Sequence, residues 1–496
     1  MSINLRLTNT LSGKKEPFVP LREGHVGLYA CGVTVYDVCH LGHAMQAILF
    51  DVFVRYLRYR GFQVTYVRNF TDVDDKIIAR AGELGISPLD LSASMIEASR
   101  RDFASLGIKP ADFEPKVSEY IEQIIDFIQK LIDKDFAYLT PNGDVYFRVR
   151  KHEGYGCLSN CNLDDLRSSG RIENDSAKED PLDFVLWKKE SVPGACWNSP
   201  FGVGRPGWHI ECSVMSSEIL GDSFDIHGGG RDLVFPHHEN EIAQSEAKSG
   251  CQYVKYWLHT GLLTVNRQKM SKSLGNFLSI ADAVKRYGAE LIRWNVFQVH
   301  YTSNIDFSDQ GFGQGMKRLY YLYRTLKRVD DFLAQYAEPD LVPDLQNEGC
   351  QSIKSDFMAA MDDDFNLPRA LVAWVGAFQK INEVLDTKVA KAKKRLPELL
   401  AVRELIRELG DVVGLCQENP VDFFDSVHRR FFEKSGLSEE KLQSMLEERA
   451  VCRSERDFAA ADQIRNDLDA LGIAVQDTPD GQRYELNDIG LEKIIL

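Results

Sequence analysis

The pattern of apolar and polar positions divides the chain into regions of different texture. "VGLYAC" (Val26 to Cys31) is a short unbroken apolar run of the kind that forms a buried strand. A polar, glycine-containing loop follows it. "AMQAILFDVFVRYLRYRG" (Ala44 to Gly61) then repeats apolar residues with helical spacing and ends on a glycine, and "QVTYVRNF" is a second strand. Strand, helix and strand in that length predict a parallel βαβ unit, whose first loop lies where open α/β sheets bind ligands. From about Lys116 to Pro206 the texture changes. "EYIEQIIDFIQKLIDKDFAYL" is helix-like, "GDVYFRVRK" predicts a hairpin, and "SSGRIENDSAKEDP" is a polar run, so the segment is expected to be an insertion.

Sheet-like and glycine-rich text resumes at "GWHIECSVM" and "FDIHGGGRDLVFPHHENEIAQSEA". "WLHTGLLTV" (Trp257 to Val265) predicts another buried strand, followed by the loop "NRQKMSKSLGN". Ser279 and Asp282 stand in capping-box spacing at the start of the next helix, which closes near Gly288. After about Phe307 the pattern predicts helices at Met316 to Leu333, Ile353 to Met361, Pro368 to Leu385 and Leu396 to Leu409. The chain stays helical through "AAADQIRNDLDALG", and "IAVQDTPDGQRYEL" predicts a terminal hairpin turning at Asp480-Gly481. The expected fold is therefore α/β: a Rossmann-type parallel-sheet domain with an inserted subdomain, then a helical bundle and a small α/β terminal region. The expected boundaries are 1–115 and 207–265 for the two halves of the sheet domain, 116–206 for the insertion, 266–315 for the lysine loop and its continuation, 316–420 for the bundle, and 421–496 for the terminal region.

Composition narrows the function classes. The 496 residues are 44% hydrophobic and 27% charged, which is ordinary for a globular protein, and no run of about 18 apolar residues suggests a membrane span. The amino terminus lacks the apolar core of a secretory signal, so a cytoplasmic location with reduced cysteines is expected. The ten cysteines are scattered, so a functional one is expected to be a metal ligand or a nucleophile. A formal net charge of -15 gives no general attraction to polyanions; nucleic acid would have to meet local basic surface.

Two loops carry the clearest chemistry. His40 and His43 lie three apart around Gly42 at a helix entry, whose free amides and dipole favour a phosphate. No glycine-rich stretch ends in Gly-Lys-Ser/Thr, so this is not a Walker P-loop. Lys269 and Lys272 sit in the second loop and suit an anionic ligand; the bland alternatives are a capping histidine pair and a solvated basic turn. Cys31, Cys212, His237 and Glu241 form a plausible zinc set, with His237 and Glu241 four apart on an expected helix opened by Pro236. By spacing alone His209, His238 and Glu239 are equally available. Cys157 and Cys161 in "CLSNC" would need two further ligands, with His152 the obvious local candidate, and Cys39 lies beside His40.

The early "HLGH" and the late "KMSKS" resemble the HIGH and KMSKS signatures of class I aminoacyl-tRNA synthetases. The flanking "YACGVTVYDVCHLGHA", "RNFTDVDDKI", "GRPGWHIECSVMS", "FDIHGGGRDLVFPHHENEIAQSE", "KMSKSLGNF" and "AMDDDFNLPRAL" resemble the cysteinyl-tRNA synthetase family. One departure stands out: many relatives carry Arg after the HIGH-like motif, where this chain has Met45 and then Gln46. Leu41 replaces isoleucine conservatively.

The resemblance implies a ligase that activates L-cysteine with Mg2+-ATP and transfers it to tRNA(Cys). It implies one Zn2+ per chain on Cys31, Cys212, His237 and Glu241, holding the substrate thiolate. It places His40, His43, Lys269 and Lys272 on the phosphates, and Gly42, Gly229, Gly230 and Asp232 around the nucleotide. Gly32, Thr34, Thr71, Trp208 and His227 frame the amino-acid pocket. For Gly228 to Gly230 the alternative is a simple turn, and for the pocket residues it is core packing. A basic stretch with Lys317, Arg318, Arg324, Lys327 and Arg328, and another from Lys388 to Leu396, would meet tRNA; either could instead be a solvated face. The expected state is a monomer without membrane contact. Two rivals remain at this level: the cysteine ligase of mycothiol biosynthesis, which lacks a long anticodon-binding extension, and a catalytically silent RNA-binding paralogue. The chain beyond about Arg395 argues against the first, and the intact motifs argue against the second.

Overall fold

A computed structural model describes residues 4–161, 177–269, 277–478 and 481–495. Its centre is a four-stranded, all-parallel sheet in the order Val254–Thr260, Phe224–Gly230, His25–Thr34, Gln63–Thr71. The first of these strands in sequence is flanked by its immediate successor on one side and by the two later strands on the other. Strand order thus reverses between His25–Thr34 and Phe224–Gly230, and the crevice beyond their carboxyl ends is where such sheets take ligands. The predicted βαβ unit is present, with helix Leu41–Tyr59 joining the first two strands.

That helix is buried continuously from Ala47 to Leu57, because the sheet covers one side and the carboxyl-terminal helices cover the other. Its buried Asp51 carboxylate accepts hydrogen bonds from Arg55 Nε at 3.0 Å and Arg293 Nη2 at 2.8 Å. Arg293 also donates to the Val413 carbonyl, and Arg55 to those of Gly107 and Asp411, so the network ties the sheet layer to the bundle.

Three local expectations are corrected. "GWHIECSVM" is not strand but the start of helix Trp208–Leu220; Ile210 to Ser216 are all buried, so a helix enclosed on every side shows no helical period. The apolar run from Trp257 to Val265 is two strands. The parallel strand ends at Thr260, Gly261 packs against the backbone of Ser303 where a Cβ would collide, and Leu263–Val265 joins a separate small sheet beside Ile305–Phe307. The hairpin within 143–151 lies further back: Val145–Phe147 pairs with Ala137–Leu139, while Val149–Lys151 is a single helical turn. Phe184–Lys189 and Gly204–Pro206 complete that antiparallel sheet. Much of the polar run before Pro181 lies outside the described residues.

The helices after Phe307 run Asp309–Tyr336, Glu348–Asp362, Leu367–Leu385 and Leu396–Val413. Three begin at polar caps, Ser308, Asn347 and Asn366, each accepting a hydrogen bond from a first-turn amide. Three further helices lead to the antiparallel pair Ile473–Thr478 and Gly481–Leu486, in which Thr478 faces Gly481; Asp480 of the expected turn lies outside the described residues. Among the described residues, no helix is long and apolar enough to cross a membrane.

The basic stretch of helix Asp309–Tyr336 is largely matched by carboxylates. Lys317 pairs with Asp488 and Glu492, Arg324 with Glu485, Lys327 with Asp331 and Arg328 with Asp386. Lys317 and Arg324 thereby fasten the terminal region to the long helix. Lys388, Lys391 and Lys394 of the second stretch have no ion pair among the described residues.

Candidate active site

Four metal-capable side chains converge just beneath the crevice. Cys31 comes from the central strand, Cys212 from helix Trp208–Leu220, His237 from the wide turn Val234–His238, and Glu241 from helix Glu239–Ser249. One ligand atom from each lies within 4.8 Å of the others, and all four residues are buried. His237 precedes the regular helix rather than standing inside it, yet its Nε2 is 3.0 Å from Glu241 Oε1. The Cys31 and Cys212 sulfurs are 3.8 Å apart.

A second set, Cys31, His227, His238 and Glu241, converges equally closely and shares two of those members. Here each imidazole has a neighbour. His227 Nε2 is 2.8 Å from Glu241 Oε2, and its ring stacks on Trp257. His238 Nε2 is 3.2 Å from Cys31 Sγ; its Nδ1 is 2.8 Å from His259 Nε2, and His259 Nδ1 is 2.7 Å from the Thr10 hydroxyl. His209 Nδ1 lies 3.1 Å from His237 Nδ1, and Trp208, partly exposed, stacks on the His237 ring at 4.3 Å. The donor cluster is thus oriented by surrounding hydrogen bonds and stacked rings, as metal centres require.

The protons on this cluster are poised against one another. Burial drives the Cys31 thiol well above its ordinary value, and the hydrogen bond to Cys212 adds to that. The same bond holds Cys212 down at about 6, against burial. Burial would lower His237, but Glu241 and Cys212 hold it up at about 10. Glu241 stays at about 2, because His227 and His237 outweigh the burial that would raise it. With Cys31 protonated, the Cys212 sulfur and the Glu241 carboxylate leave one negative charge in excess of the His237 imidazolium, which a cation would complete.

His40 caps helix Leu41–Tyr59. Its Nδ1 accepts from the Gly42 amide at 3.1 Å, and His43 Nδ1 accepts from the His40 amide at 3.3 Å. With both Nδ1 atoms acting as acceptors, the proton of each neutral ring sits on Nε2. The rings stack at 3.8 Å. Burial, and then His40, push His43 down to about 3, so it is a neutral hydrogen-bond donor at ordinary pH.

The backbone at Leu41 donates to Leu278, and that of Ile280 to Cys39; the Phe277 ring meets His40 edge-on at 5.6 Å. The segment after the lysine loop is therefore fastened to the two histidines. Residues 270–276, including Lys272, and the side chain of Lys269 lie outside the described residues. The Lys269 backbone pairs with Thr264.

The glycine run ends strand Phe224–Gly230 in bare backbone. A Cβ at Gly228 would strike Phe50, at Gly229 Leu233 and His238, and at Gly230 the Asp232 carboxylate. On the other flank, Gly32 donates to Asn69 Oδ1 at 2.8 Å, and a Cβ there would collide with the Asn69 carbonyl. Thr34 and Thr71 face each other at the ends of their strands. The Thr71 hydroxyl donates to Glu211 at 3.0 Å, and the fully buried His227 lies 2.8 Å from Glu241. Met45 is packed in the core, whereas Gln46 reaches the crevice and donates to the Cys31 carbonyl.

His259, Thr10 and Glu211 are not marked by the sequence. A lone histidine in "WLHT" at the carboxyl end of a strand was the single available signal. Glu239, an open alternative, is no part of either donor set: it accepts from the amides of Gly156 and Ser159 and holds that loop against its helix. Cys157 lies 3.8 Å from that carboxylate, and neither Cys157 nor Cys161 belongs to a metal-capable group among the described residues.

Residues 17–317 match the family model of the class I (C) tRNA synthetase catalytic domain. The fold is similar to that of Mycobacterium tuberculosis methionyl-tRNA synthetase in complex with methionyl-adenylate, with a TM-score of 0.61 at 13% identity, covering 81% of this chain and 94% of that one. Parallel sheet, glycine run and histidine-bearing helix entry thus sit within a class I aminoacyl-tRNA synthetase catalytic domain. Residues 356–417 match the DALR domain, and 436–484 the cysteinyl-tRNA ligase anticodon binding domain. The cysteine–tRNA ligase of Pelobacter propionicus is 44% identical over 97% of this chain and 99% of its own length; that of Thermococcus gammatolerans is 46% identical over 96% and 98%. The chain belongs to the cysteine–tRNA ligase family.

Proposed function

We propose that the protein activates L-cysteine with Mg2+-ATP to cysteinyl-adenylate and transfers it to the 3′ end of tRNA(Cys), with a zinc ion on Cys31, Cys212, His237 and Glu241 selecting the substrate by its sulfur. The observation that carries this is the buried convergence of those four donors beside the glycine run and the histidine-capped helix. Two sulfurs, an imidazole and a carboxylate suit zinc better than a hard, oxygen-preferring cation. This set is favoured over the one with His227 and His238 because it includes both sulfurs. When bound, zinc supplies a soft Lewis-acid position that favours a thiolate over a serine hydroxyl, so selection needs no separate editing site.

The remaining work falls to the chain. The carboxylate of cysteine is itself the nucleophile on the α-phosphate, so no general base is required. His40 and His43 present Nε2 protons at the helix entry, where the amides also favour phosphate. Lys269 and Lys272 neutralise the departing pyrophosphate. Gly229 and Gly230 let the nucleotide approach the backbone, and Asp232 accepts from the ribose. Trp208 closes the outer side of the amino-acid pocket. A ribose hydroxyl of the terminal tRNA nucleotide then attacks the cysteinyl carbonyl and AMP leaves, while the region matching the anticodon-binding family holds the far end of the tRNA.

Charging of a tRNA(Cys) transcript with labelled cysteine is the test, with serine as the control. Cysteine-specific charging is expected. Adenylate formation without charging would transfer the reading to a non-tRNA acceptor, as in the mycothiol-type ligase.

A further inference from the structure

One polar side chain of the histidine-capped helix faces the crevice. Gln46 lies on helix Leu41–Tyr59, one turn beyond the histidine pair. The central strand is irregular where it meets this side chain: its pairing with Phe224–Gly230 ends at Ala30 opposite Gly228, and its register with Gln63–Thr71 slips between Ala30 and Val33. There Gln46 Nε2 donates to the Cys31 carbonyl at 2.8 Å. A carbonyl can only accept, so the amide nitrogen must face the strand, which fixes the orientation of the group and turns Oε1 away.

Oε1 is turned toward the glycine run. It lies 3.9 Å from the point where a Cβ would stand on Gly230, and Asp232 Oδ1 is in contact with the same point. Two acceptors from different elements therefore flank one patch of bare backbone. A ribose offers the complementary pattern, two adjacent hydroxyl donors on one ring edge.

We propose that Gln46 is a ribose-binding residue: its Oε1 accepts a hydrogen bond from one ribose hydroxyl of ATP while Asp232 accepts from the other. This rests on the adenylate-forming function above. Because the same amide holds the Cys31 carbonyl, Gln46 also links the strand bearing a metal-capable cysteine to the nucleotide cradle. The plain alternative is that Gln46 only braces that strand.

Cysteine-dependent ATP–pyrophosphate exchange with ATP, 2′-deoxy-ATP and 3′-deoxy-ATP separates the two. In the wild type, both analogues should be poorer substrates than ATP. In Gln46→Leu, kcat/KM for ATP should fall about five- to tenfold, the scale of one hydrogen bond, mainly through KM. The same variant should no longer discriminate against one of the two deoxy analogues. Gln46→Glu, which keeps an acceptor but loses the donor to Cys31, should retain that discrimination. An equal fall for all three nucleotides in Gln46→Leu, with the wild-type preference intact, would overturn the proposal and leave the bracing role. Wild-type protein that exchanges with cysteine and ATP but ignores both ribose hydroxyls would overturn it without touching the function. Wild-type protein with no exchange at all would overturn both.

Discussion

Two buried polar clusters lie on opposite sides of the catalytic sheet and differ in how their charge is balanced. Asp51 is enclosed by Arg55 and Arg293, whose guanidiniums neutralise it and spend their remaining donors on backbone carbonyls. That cluster is complete, and it joins two layers of the fold. Around Glu241, two sulfurs and a carboxylate face one imidazolium, with Cys31 held protonated by burial and Cys212 by contrast poised near neutrality at about 6. A cluster with an internal counter-charge is a rivet. One that converges on a shared point with surplus anionic donors is a receptor for a cation.

Cys212→Ala should remove the metal and reduce cysteine-dependent exchange to background, while the melting temperature of the metal-free form changes little; metal analysis together with exchange kinetics checks this. Asp51→Ala should do the reverse. It leaves the buried Arg293 without its ion pair and Arg55 with Asp411 alone, so it should cost about 3–5 kcal/mol in denaturant unfolding while the metal content of the folded fraction stays at the wild-type level.

A third buried carboxylate differs from both, because it forms no ion pair among the described residues. Glu290 accepts from the Gln417 and Cys416 amides and from the Tyr323 hydroxyl, and burial raises it to about 7 despite those bonds. Between its unfolded value near 4.5 and about 7, the folded protein keeps a proton that the unfolded chain has released. This contribution is therefore full below about pH 4.5 and is lost as pH rises through about 7, by about 3 kcal/mol in all. Glu290→Gln should flatten that part of the stability profile in pH-dependent unfolding. The smallest effect is expected from His227→Asn, which weakens the support of Glu241. It should lower metal affinity about tenfold, measured by competition with a chromogenic chelator.

Parts of this arrangement were legible in the sequence and parts were not. The βαβ unit could be read because its strands are short apolar runs and its helix ends on a glycine. Helix Trp208–Leu220 could not, since enclosure on all sides erases the amphipathic period that marks a helix. The four donors span residues 31 to 241, and spacing gave no reason to prefer His237 over His238; only the resemblance singled it out, and both lie in the assembled cluster. Residues such as Thr10, His259 and Glu211 act through partners on other strands or helices, so nothing in their immediate neighbours announces them. The bundle helices were found but cut short, because Ser308, Asn347 and Asn366 extend them beyond the apolar stripe by capping. The basic face of Asp309–Tyr336 was visible as charge, but its acidic partners Glu485, Asp488 and Glu492 lie more than 150 residues away.

The most direct test of the central claim is ATP–pyrophosphate exchange with cysteine and with serine, on protein assayed for zinc, stripped by chelator and then reloaded. Exchange with cysteine alone is expected, lost on stripping and restored by zinc. Cysteine-selective exchange that persists at full rate in folded, metal-free protein would contradict that claim.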